Sequence, residues 1–387
     1  MKQIQMLDLK FEYEYIKDDI DAAIRRCLEH QKWILGPEVK ELEEKMAGYL
    51  GVKHCIGVAS GTEALLLSLR ALAIKIKKQE YWDKDDLIIT TPFTFTATGD
   101  TILRSGATPI FVDIDPQTFN IDTENIRIAL DKYGAKIKGI IPVHLYGQPC
   151  DMTEVMNIAK ENGIFAVEDC AQSFGAKFIG KQTGSFGNTG CFSFFPSKNL
   201  GGFGDGGMIS TSDDDLAEII RMLLKHGGKD KYNVEHIGYN ARLDTLQAAV
   251  LLAKFKYIDE FNRKRQKAAN IYNEGLKDLG FIEIPFVIND AYHVYHQYTI
   301  KLKKVNRDEA INQLNLRSVQ TMIYYPYLLP EMDLFQKRCK TIGKLKNAGE
   351  ISFMVLSLPI EPLYDDDTFR YVIKCLAELK NTENIKN

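Results

Sequence analysis

Between Lys53 and Thr211 the sequence alternates short, apolar, β-rich runs with stretches of helical period. Several of these runs are apolar at nearly every position, which is typical of strands covered on both faces. The alternation predicts an α/β fold with a largely parallel sheet of seven strands, and ligands of such sheets bind beyond the carboxyl ends of the strands. The predicted strands are His54–Ala59, Leu87–Pro92, Pro109–Ile114, Gly139–Val143, Ile164–Glu168, Cys191–Phe195 and Gly207–Ser210.

The rest of the chain predicts a second, smaller domain. A connecting helix is expected over Thr245–Leu279, which is rich in Ala, Leu, Lys and Arg. An α+β domain with a C-terminal helix and a polar tail follows, and we place the boundary between residues 1–258 and 259–387. Its predicted strands are Tyr298–Leu302, Arg317–Met322 and Val355–Leu358. The charged insertion Ala73–Asp86 is expected to be a solvated loop or a helix extension.

Composition excludes several classes of function. The 387 residues include 49 basic and 52 acidic side chains without a dense basic block, so a nucleic-acid partner is not expected. No segment approaches the roughly 20 apolar residues of a membrane span. The seven cysteines form no CxxC pair, which indicates a reduced, cytoplasmic protein. The histidines show no HExxH or similar spacing, and we expect no metal site.

A single lysine stands before a glycine-rich turn in the segment 190–207, which reads GCFSFFPSKNLGGFGDGG. Lys198 follows a predicted strand, and a lysine at a strand end beside apolar residues can lose its proton and bond covalently to an aldehyde. Its ordinary alternative is a solvated loop cation. The glycines precede a strand and not a helix, so the segment does not predict a dinucleotide site.

Three further segments place polar or aromatic groups at strand ends. The run 164–173 (IFAVEDCAQS) delivers Asp169, which could pair with a protonated pyridine nitrogen or could simply cap a turn. The run 59–67 (ASGTEALLL) opens a helix at Ser60-Gly61-Thr62, which suits a phosphate and also suits an ordinary N-cap. The run 90–98 (TTPFTFTAT) carries Phe93 and Phe95, which could stack on a planar ring or pack in the core.

Each element alone has an ordinary structural explanation, but their combination does not. A phosphate cradle, a stacking ring, a carboxylate and a lysine follow successive strands in the order that a pyridoxal phosphate (PLP) site requires. The sequence therefore predicts an enzyme that binds this cofactor.

At these residues the chain resembles the DegT/DnrJ/EryC1/StrS nucleotide-sugar aminotransferases, a group within the fold-type I PLP enzymes. The likeness covers almost the whole length. The segments that carry it are WILGPEVKELE, SGTEAL, TPFTFTAT, ATPIFVDIDPQTFNID, EDCAQS, FSFFPSKNLG and HIGYNARLDTLQAA.

The resemblance implies a role for each matching residue. Lys198 would hold the cofactor, Asp169 would pair with its ring nitrogen, and Phe95 would stack on the ring. Gln172 would lie near the phenolic oxygen of the cofactor. The phosphate would be held by Gly61, Thr62 and Ser193, joined by Asn240 from a second subunit, so that the site exists only in a homodimer.

The expected substrate contacts are less uniform. Arg242 resembles the position that reaches the nucleotide sugar from the partner chain, and its alternative role is a surface ion pair. Where relatives commonly carry His-Tyr-Pro near the sugar, this chain has Tyr324 and Tyr325 before Pro326. A tyrosine still offers a hydroxyl to the sugar.

The function implied is amino transfer from glutamate to a keto sugar linked to a nucleotide, with the cofactor alternating between PLP and its aminated form. Lys198 favours transfer over the dehydratase relatives that carry histidine at this position, and FFPSKNLGGFGDGG is more similar to members that aminate C3. Amination at C4, or of a keto-inositol or a sugar phosphate, remains an alternative. A non-catalytic nucleotide-sugar binding or regulatory protein is an alternative of a different class.

Overall fold

The computed structural model describes residues 3–230 and 232–379. The helices are α1 Leu9–Tyr15, α2 Lys17–His30, α3 Pro37–Leu50, α4 Gly61–Leu72, α5 Thr96–Arg104, α6 Thr123–Tyr133, α7 Met152–Asn162, α8 Asp214–Leu223, α9 Thr245–Phe255, α10 Ile258–Leu276, α11 Arg307–Leu316, α12 Lys346–Ser352 and α13 Asp366–Leu379. The strands are β1 His54–Val58, β2 Leu87–Thr90, β3 Thr108–Phe111, β4 Ile137–Ile141, β5 Phe165–Asp169, β6 Lys177–Phe178, β7 Lys181–Gln182, β8 Thr189–Ser193, β9 Gly207–Thr211, β10 Ile282–Glu283, β11 Ala291–Tyr292, β12 Tyr298–Leu302, β13 Lys340–Thr341 and β14 Val355–Leu358.

The main sheet has eight strands in the order β1-β9-β8-β5-β4-β2-β3-β13. Only β9 runs antiparallel to its neighbours. Strands β2, β3 and β9 are buried at every position, as strands covered by helices on both faces should be. Because the other seven strands are parallel, their carboxyl ends share one edge of the sheet, and β9 begins at that same edge.

All seven predicted strands of the sheet are present, and the mostly parallel α/β architecture is confirmed. The eighth strand, β13, was not predicted, because two residues carry no recognisable alternation. It comes from the C-terminal third of the chain and pairs in parallel with β3.

The C-terminal region has its own antiparallel sheet, in the order β10-β12-β14. Its buried side chains, among them Tyr272, Tyr298 and Phe369, join α10, α11 and α13 to this sheet in a separate apolar cluster. The domain boundary that we propose at 258/259 falls at the first turn of α10. The predicted polar tail lies mostly outside the described residues.

Three expectations need correction. The connecting helix is two helices, α9 and α10, separated at Lys256 and Tyr257. The predicted strand Arg317–Met322 forms only isolated bridges, at Val319 and Met322, because its neighbours do not continue the ladder. The insertion Ala73–Asp86 does extend α4, through a π-helical turn, but its Trp82 is buried in the core of the large domain instead of lying in a solvated loop.

No helix within the described part of the chain is both long and apolar enough to cross a membrane.

Candidate active site

Lys198 lies in the loop that follows β8, and its backbone N–H donates to the carbonyl of Phe195 at 2.8 Å, which closes a tight turn. Burial lowers the pKa of its amine from 10.5 to about 8, and the nearby Asp169 carboxylate offsets part of that shift. A lysine with this pKa is partly neutral near neutral pH. It can therefore act as a nucleophile or carry a proton.

Asp169 ends β5, two strands from the antiparallel β9, and its side chain is buried. The hydroxyl of Thr98 donates to its Oδ2 at 2.8 Å, and the backbone N–H of Ala171 donates to its Oδ1 at 3.1 Å. Burial raises the pKa of the carboxyl, while these two hydrogen bonds and the charge of Lys198 act in the opposite direction. The carboxylate is thus fixed in direction and has a cation nearby.

The preceding residue, Glu168, has a structural role. Its carboxylate is fully buried and accepts backbone N–H groups from the 184–187 turn and a hydrogen bond from His144 at 3.1 Å. Its oxygens are therefore occupied, and it holds that turn against the end of β5. Of the two acidic residues in the EDCAQS segment, only Asp169 faces the lysine.

The first turn of α4 forms a narrow cradle at the same sheet edge. A methyl group added at Gly61 would lie 2.6 Å from the Cβ of Ser193, so only glycine fits there. At Gly207, the start of β9, an added methyl would lie 2.4 Å from the carbonyl carbon of Ser60. The N–H groups of Gly61 and Thr62 belong to a helix's first turn, where no intrahelical carbonyl can reach them. Such free N–H groups beside the Ser193 hydroxyl can hold an anion.

Ser60 caps the same helix, because its Oγ accepts the N–H of Glu63 at 3.1 Å. Both sequence interpretations of this segment are therefore compatible with the structure. The cap uses the N–H of Glu63, and the N–H groups of the two preceding residues remain for a ligand.

Gln172 is held rigidly between two parts of the chain. Its Oε1 accepts the backbone N–H of Tyr146 at 2.6 Å, and its Nε2 donates to the Tyr325 hydroxyl at 3.0 Å. Tyr146 in turn donates to the carbonyl of Tyr324. Burial raises the pKa of Tyr325, and the negative charge of Asp169 acts in the same direction. Both tyrosines predicted at the sugar therefore lie beside the cofactor-binding residues.

The two aromatic residues after β2 have different positions. Phe93 is fully buried and meets the Tyr325 ring edge to face, with centroids 6.2 Å apart. Phe95 is 59% exposed and immediately precedes α5, the helix that carries Thr98 to Asp169. Phe95 is thus the ring that a ligand could cover.

Asn240 and Arg242 lie on the outer side of β1 in this chain. Arg242 forms a bridge with Val58, and its guanidinium donates to the Asn240 side chain, which is exposed. Asn240 and Arg242 therefore contact each other. No hydrogen bond or ion pair among the described residues joins them to Lys198 or Asp169.

Sequence reasoning did not single out Thr98 or Tyr146. Thr98 stands in the TTPFTFTAT segment, three residues after Phe95, and its position in the first turn of a helix was the available signal. Tyr146 had no such signal, because its role depends on contacts with residues far away in the sequence.

Two groups of side chains in the described ranges have the spacing of metal ligands. They are Cys27, His30 and Glu38, and His144, Glu168 and Cys170. In each group the histidine Nδ1 accepts a backbone N–H, from Lys32 or from Cys150. Nε2 therefore carries the proton and donates to the glutamate, and we assign no metal to either group.

Comparison with known proteins decides the family. The model of the DegT/DnrJ/EryC1/StrS aminotransferase family matches residues 14–377. The chain belongs to this family. A relative from Pseudomonas aeruginosa, a UDP-2-acetamido-2-deoxy-3-oxo-D-glucuronate aminotransferase, is 40% identical over 97% of this chain and 99% of its own. A pleiotropic regulatory protein from Geobacillus stearothermophilus is 41% identical over 97% and 98%.

The structural comparison agrees with this membership. The crystal structure of NtdA from Bacillus subtilis with bound cofactor PMP has a TM-score of 0.87 and 30% identity, over 98% of this chain and 85% of the other. The fold is that of the fold-type I PLP enzymes, and the chain is a PLP-dependent aminotransferase. The residues present fit this cofactor: the cradle is lined by glycines at positions where a Cβ would clash, and the Asp169 carboxylate acts electrostatically on the Lys198 amine at the same edge of the sheet.

Proposed function

We propose that this chain transfers the amino group of glutamate to C3 of a keto sugar carried by a nucleotide. The observation that carries the proposal is the partly neutral Lys198 amine facing the Asp169 carboxylate, beside a helix N-terminus where only glycine fits. Amination at C3 is supported by the 3-oxo substrate in the name of the P. aeruginosa relative.

In this proposal each residue has a definite task at the cofactor. Gly61, Thr62 and Ser193 would hold the phosphate, Phe95 would stack on the ring, and Gln172 would lie near the phenolic oxygen. When bound, the cofactor supplies an electron sink and carries nitrogen between donor and acceptor.

Lys198 and Asp169 perform the proton chemistry. The Nζ of Lys198 accepts a proton from the substrate carbon and returns it, because a pKa of about 8 lets the amine do both near neutral pH. Asp169, oriented by Thr98, would pair with the ring nitrogen of the bound cofactor, and its negative charge would favour the protonated form of that nitrogen.

We also propose that the site is shared within a homodimer. Asn240 and Arg242 lie on the outer side of β1, and Asn240 is exposed. Asn240 would join the phosphate site of a second copy, and Arg242 would contact its nucleotide sugar together with Tyr324 and Tyr325.

The test is turnover of a panel of keto sugars. Purified protein with PLP and glutamate is incubated with 3-keto and 4-keto nucleotide sugars, a keto-inositol and a keto sugar phosphate, and products are identified by mass spectrometry and NMR. We expect one equivalent of 2-oxoglutarate for each 3-amino nucleotide sugar. Products only from a 4-keto sugar, the inositol or the sugar phosphate would replace the proposed acceptor.

A regulatory role is favoured by one observation, the name of the G. stearothermophilus relative. A pure binding protein would not require an amine with a lowered pKa opposite a fixed carboxylate, so we prefer catalysis. Failure of every acceptor in the panel, with glutamate leaving the spectrum of the bound cofactor unchanged, would favour the regulatory alternative.

A further inference from the structure

Arg70, near the end of α4, is a fully buried cation. Its guanidinium donates to the backbone carbonyl and carboxylate of Glu80, the latter at 2.9 Å. It also donates to the carbonyl of Ile237 at 3.1 Å and to the hydroxyl of Tyr239. The ring of Tyr81 covers it, with 3.7 Å from the guanidinium carbon to the ring centroid. Every one of these partners lies in one of two segments, 80–81 or 237–239.

Glu80 reaches the second segment independently of Arg70. Its carboxylate accepts the N–H of Ile237 at 3.2 Å and bonds the Nδ1 of His236 at 2.8 Å. The pKa of Glu80 is lowered, because these contacts and the charge of Arg70 outweigh its burial. The ionised carboxylate thus ties residues 236 and 237 to Arg70.

The segment that carries Glu80 is itself fixed. The indole N–H of Trp82 donates to the carbonyl of Leu69 at 2.8 Å, and the backbone N–H of Trp82 donates to Ser105 at 2.9 Å. Trp82 is buried in the large-domain core. Residues 80–82 are therefore held firmly, and we call the cluster of Arg70, Glu80, Tyr81 and Tyr239 the brace.

What the brace holds is the chain directly before Asn240 and Arg242. Backbone pairing of Asn240 with Lys225 and of Arg242 with Val58 aligns these residues with the large domain. Ahead of them, Val234 and Ile237 are 61% and 58% exposed. The brace thus fixes the boundary between an exposed apolar loop and the two residues proposed to enter the partner's site.

We propose that the brace positions Asn240 and Arg242 for the active site of the second subunit. This rests on the proposed shared site. Removing one partner from a buried Arg–carboxylate cluster leaves an uncompensated charge, so the segment must shift. The shift would be felt in the neighbouring subunit's site and not in the site that contains the same chain's Lys198.

The test variants are Glu80→Gln, which keeps the size of the side chain, and Tyr239→Phe, which removes one acceptor of Arg70 and keeps the ring. Asp83→Asn is the matched control, because Asp83 lies on the same insertion and its exposed carboxylate pairs with Lys77 and not with Arg70. We expect the KM for the nucleotide sugar to rise about five- to tenfold in the two brace variants, as for loss of a charged hydrogen bond, and to stay unchanged in the control.

Mixed dimers, isolated with two affinity tags, show in which subunit the brace acts. In the first mixed dimer, a Lys198→Ala chain is paired with a Glu80→Gln chain. Its one functional site takes Lys198 from the Glu80→Gln chain and the intact brace from the Lys198→Ala chain, so its KM should be that of the wild type. A wild-type chain paired with a Lys198→Ala/Glu80→Gln chain should have the raised KM. The reverse pattern, or no change in KM in any brace variant, would overturn the proposal.

A separate dimer keeps this outcome distinct from failure of the shared site. Lys198→Ala paired with Asn240→Ala contains no brace variant and should regain activity that neither parent homodimer has. If that dimer is inactive while the Asn240→Ala homodimer is also inactive, the shared site is wrong. If this dimer is active, and the brace dimers show the reverse KM pattern or no change in KM, only the brace proposal is wrong.

Discussion

At the scale of single residues, burial acts in opposite directions on the two central groups. It lowers the pKa of Lys198 and raises that of Asp169, and the attraction between them offsets part of each shift. The cofactor-free protein therefore bears the cost of two charges taken out of water. A ligand that interacts with both groups offsets that desolvation cost when it binds.

The first prediction concerns Lys198→Met in the cofactor-free protein. The folded-state pKa, about 8, is below the unfolded value of 10.5, so the folded state binds fewer protons between these pH values and stability rises with pH across that window. Below pH 8 the wild type bears the full cost, and the variant should be about 1–3 kcal/mol more stable in denaturant unfolding.

That advantage should disappear as the pH rises from about 8 to 10.5. Lys40→Met is the control, since the Lys40 side chain is 80% exposed and should show no such dependence. A Lys198→Met advantage that is constant across the window would indicate better apolar packing and not the removal of a buried charge.

The second prediction concerns Gly61→Ala. The new methyl would lie 2.6 Å from Ser193, and crowding of this size costs about 1–3 kcal/mol, so the affinity for PLP should fall about tenfold or more. Gly48→Ala is the matched control, because nothing lies within 4 Å of a methyl group there. Fluorescence titration of the cofactor-free proteins gives both values. Equal affinities in the two variants would exclude the cradle.

Residue identities at the site were predictable where a motif carries them, as for Lys198, Asp169 and Gln172. The hydrogen-bond partner of Gln172 could not be predicted from a motif. Tyr325 is 153 positions away, and the sequence placed it at the sugar without revealing that its hydroxyl accepts a hydrogen bond from Gln172. Contacts at such separations depend on packing, which local patterns do not record.

At the scale of elements, the N-terminus of α4 has two functions that a mutation can separate. At the start of α4, the Ser60 side chain accepts the N–H of Glu63 at 3.1 Å. At the start of α7, the Asp151 side chain accepts the N–H of Glu154 at 3.0 Å. Only α4 begins beside Ser193 and the lysine loop. Its cap is therefore expected to matter for both folding and binding.

The third prediction compares Ser60→Ala with Asp151→Ala. Each variant should be about 1 kcal/mol less stable, which is the typical effect of removing an N-cap side chain. Only Ser60→Ala should also weaken PLP binding, because loss of this cap loosens the cradle. Thermal unfolding and cofactor titration measure the two effects. If neither variant changes cofactor affinity, Ser60 serves the helix alone.

Buried elements were the most predictable, because strands covered on both faces are apolar nearly throughout. The helix break at Lys256 was not predicted, because apolar and basic residues continue through it. The strand Arg317–Met322 was predicted, but it forms only isolated bridges. Of the two structures predicted for the insertion Ala73–Asp86, the solvated loop was wrong. Its charges indicated solvent, whereas Lys77, Glu80 and Asp86 pair with groups nearby and Trp82 fills the core.

At the scale of the whole molecule, the parallel sheet collects groups from distant parts of the chain at one edge. The cradle follows β1, Asp169 ends β5 and Lys198 follows β8, so their order in the sequence does not predict their distances. The second region contributes Tyr325 to the same edge. The topology explains how residues from separate segments come to lie at one edge of the sheet.

The most direct test of the account is to locate the covalently bound cofactor. The protein is loaded with PLP, reduced with borohydride and digested, and the modified peptide is identified by mass spectrometry. The account predicts the cofactor on Lys198, and no labelled lysine in a Lys198→Arg protein treated in the same way. Labelling of any other lysine in the wild-type protein, with Lys198 unmodified, would contradict it.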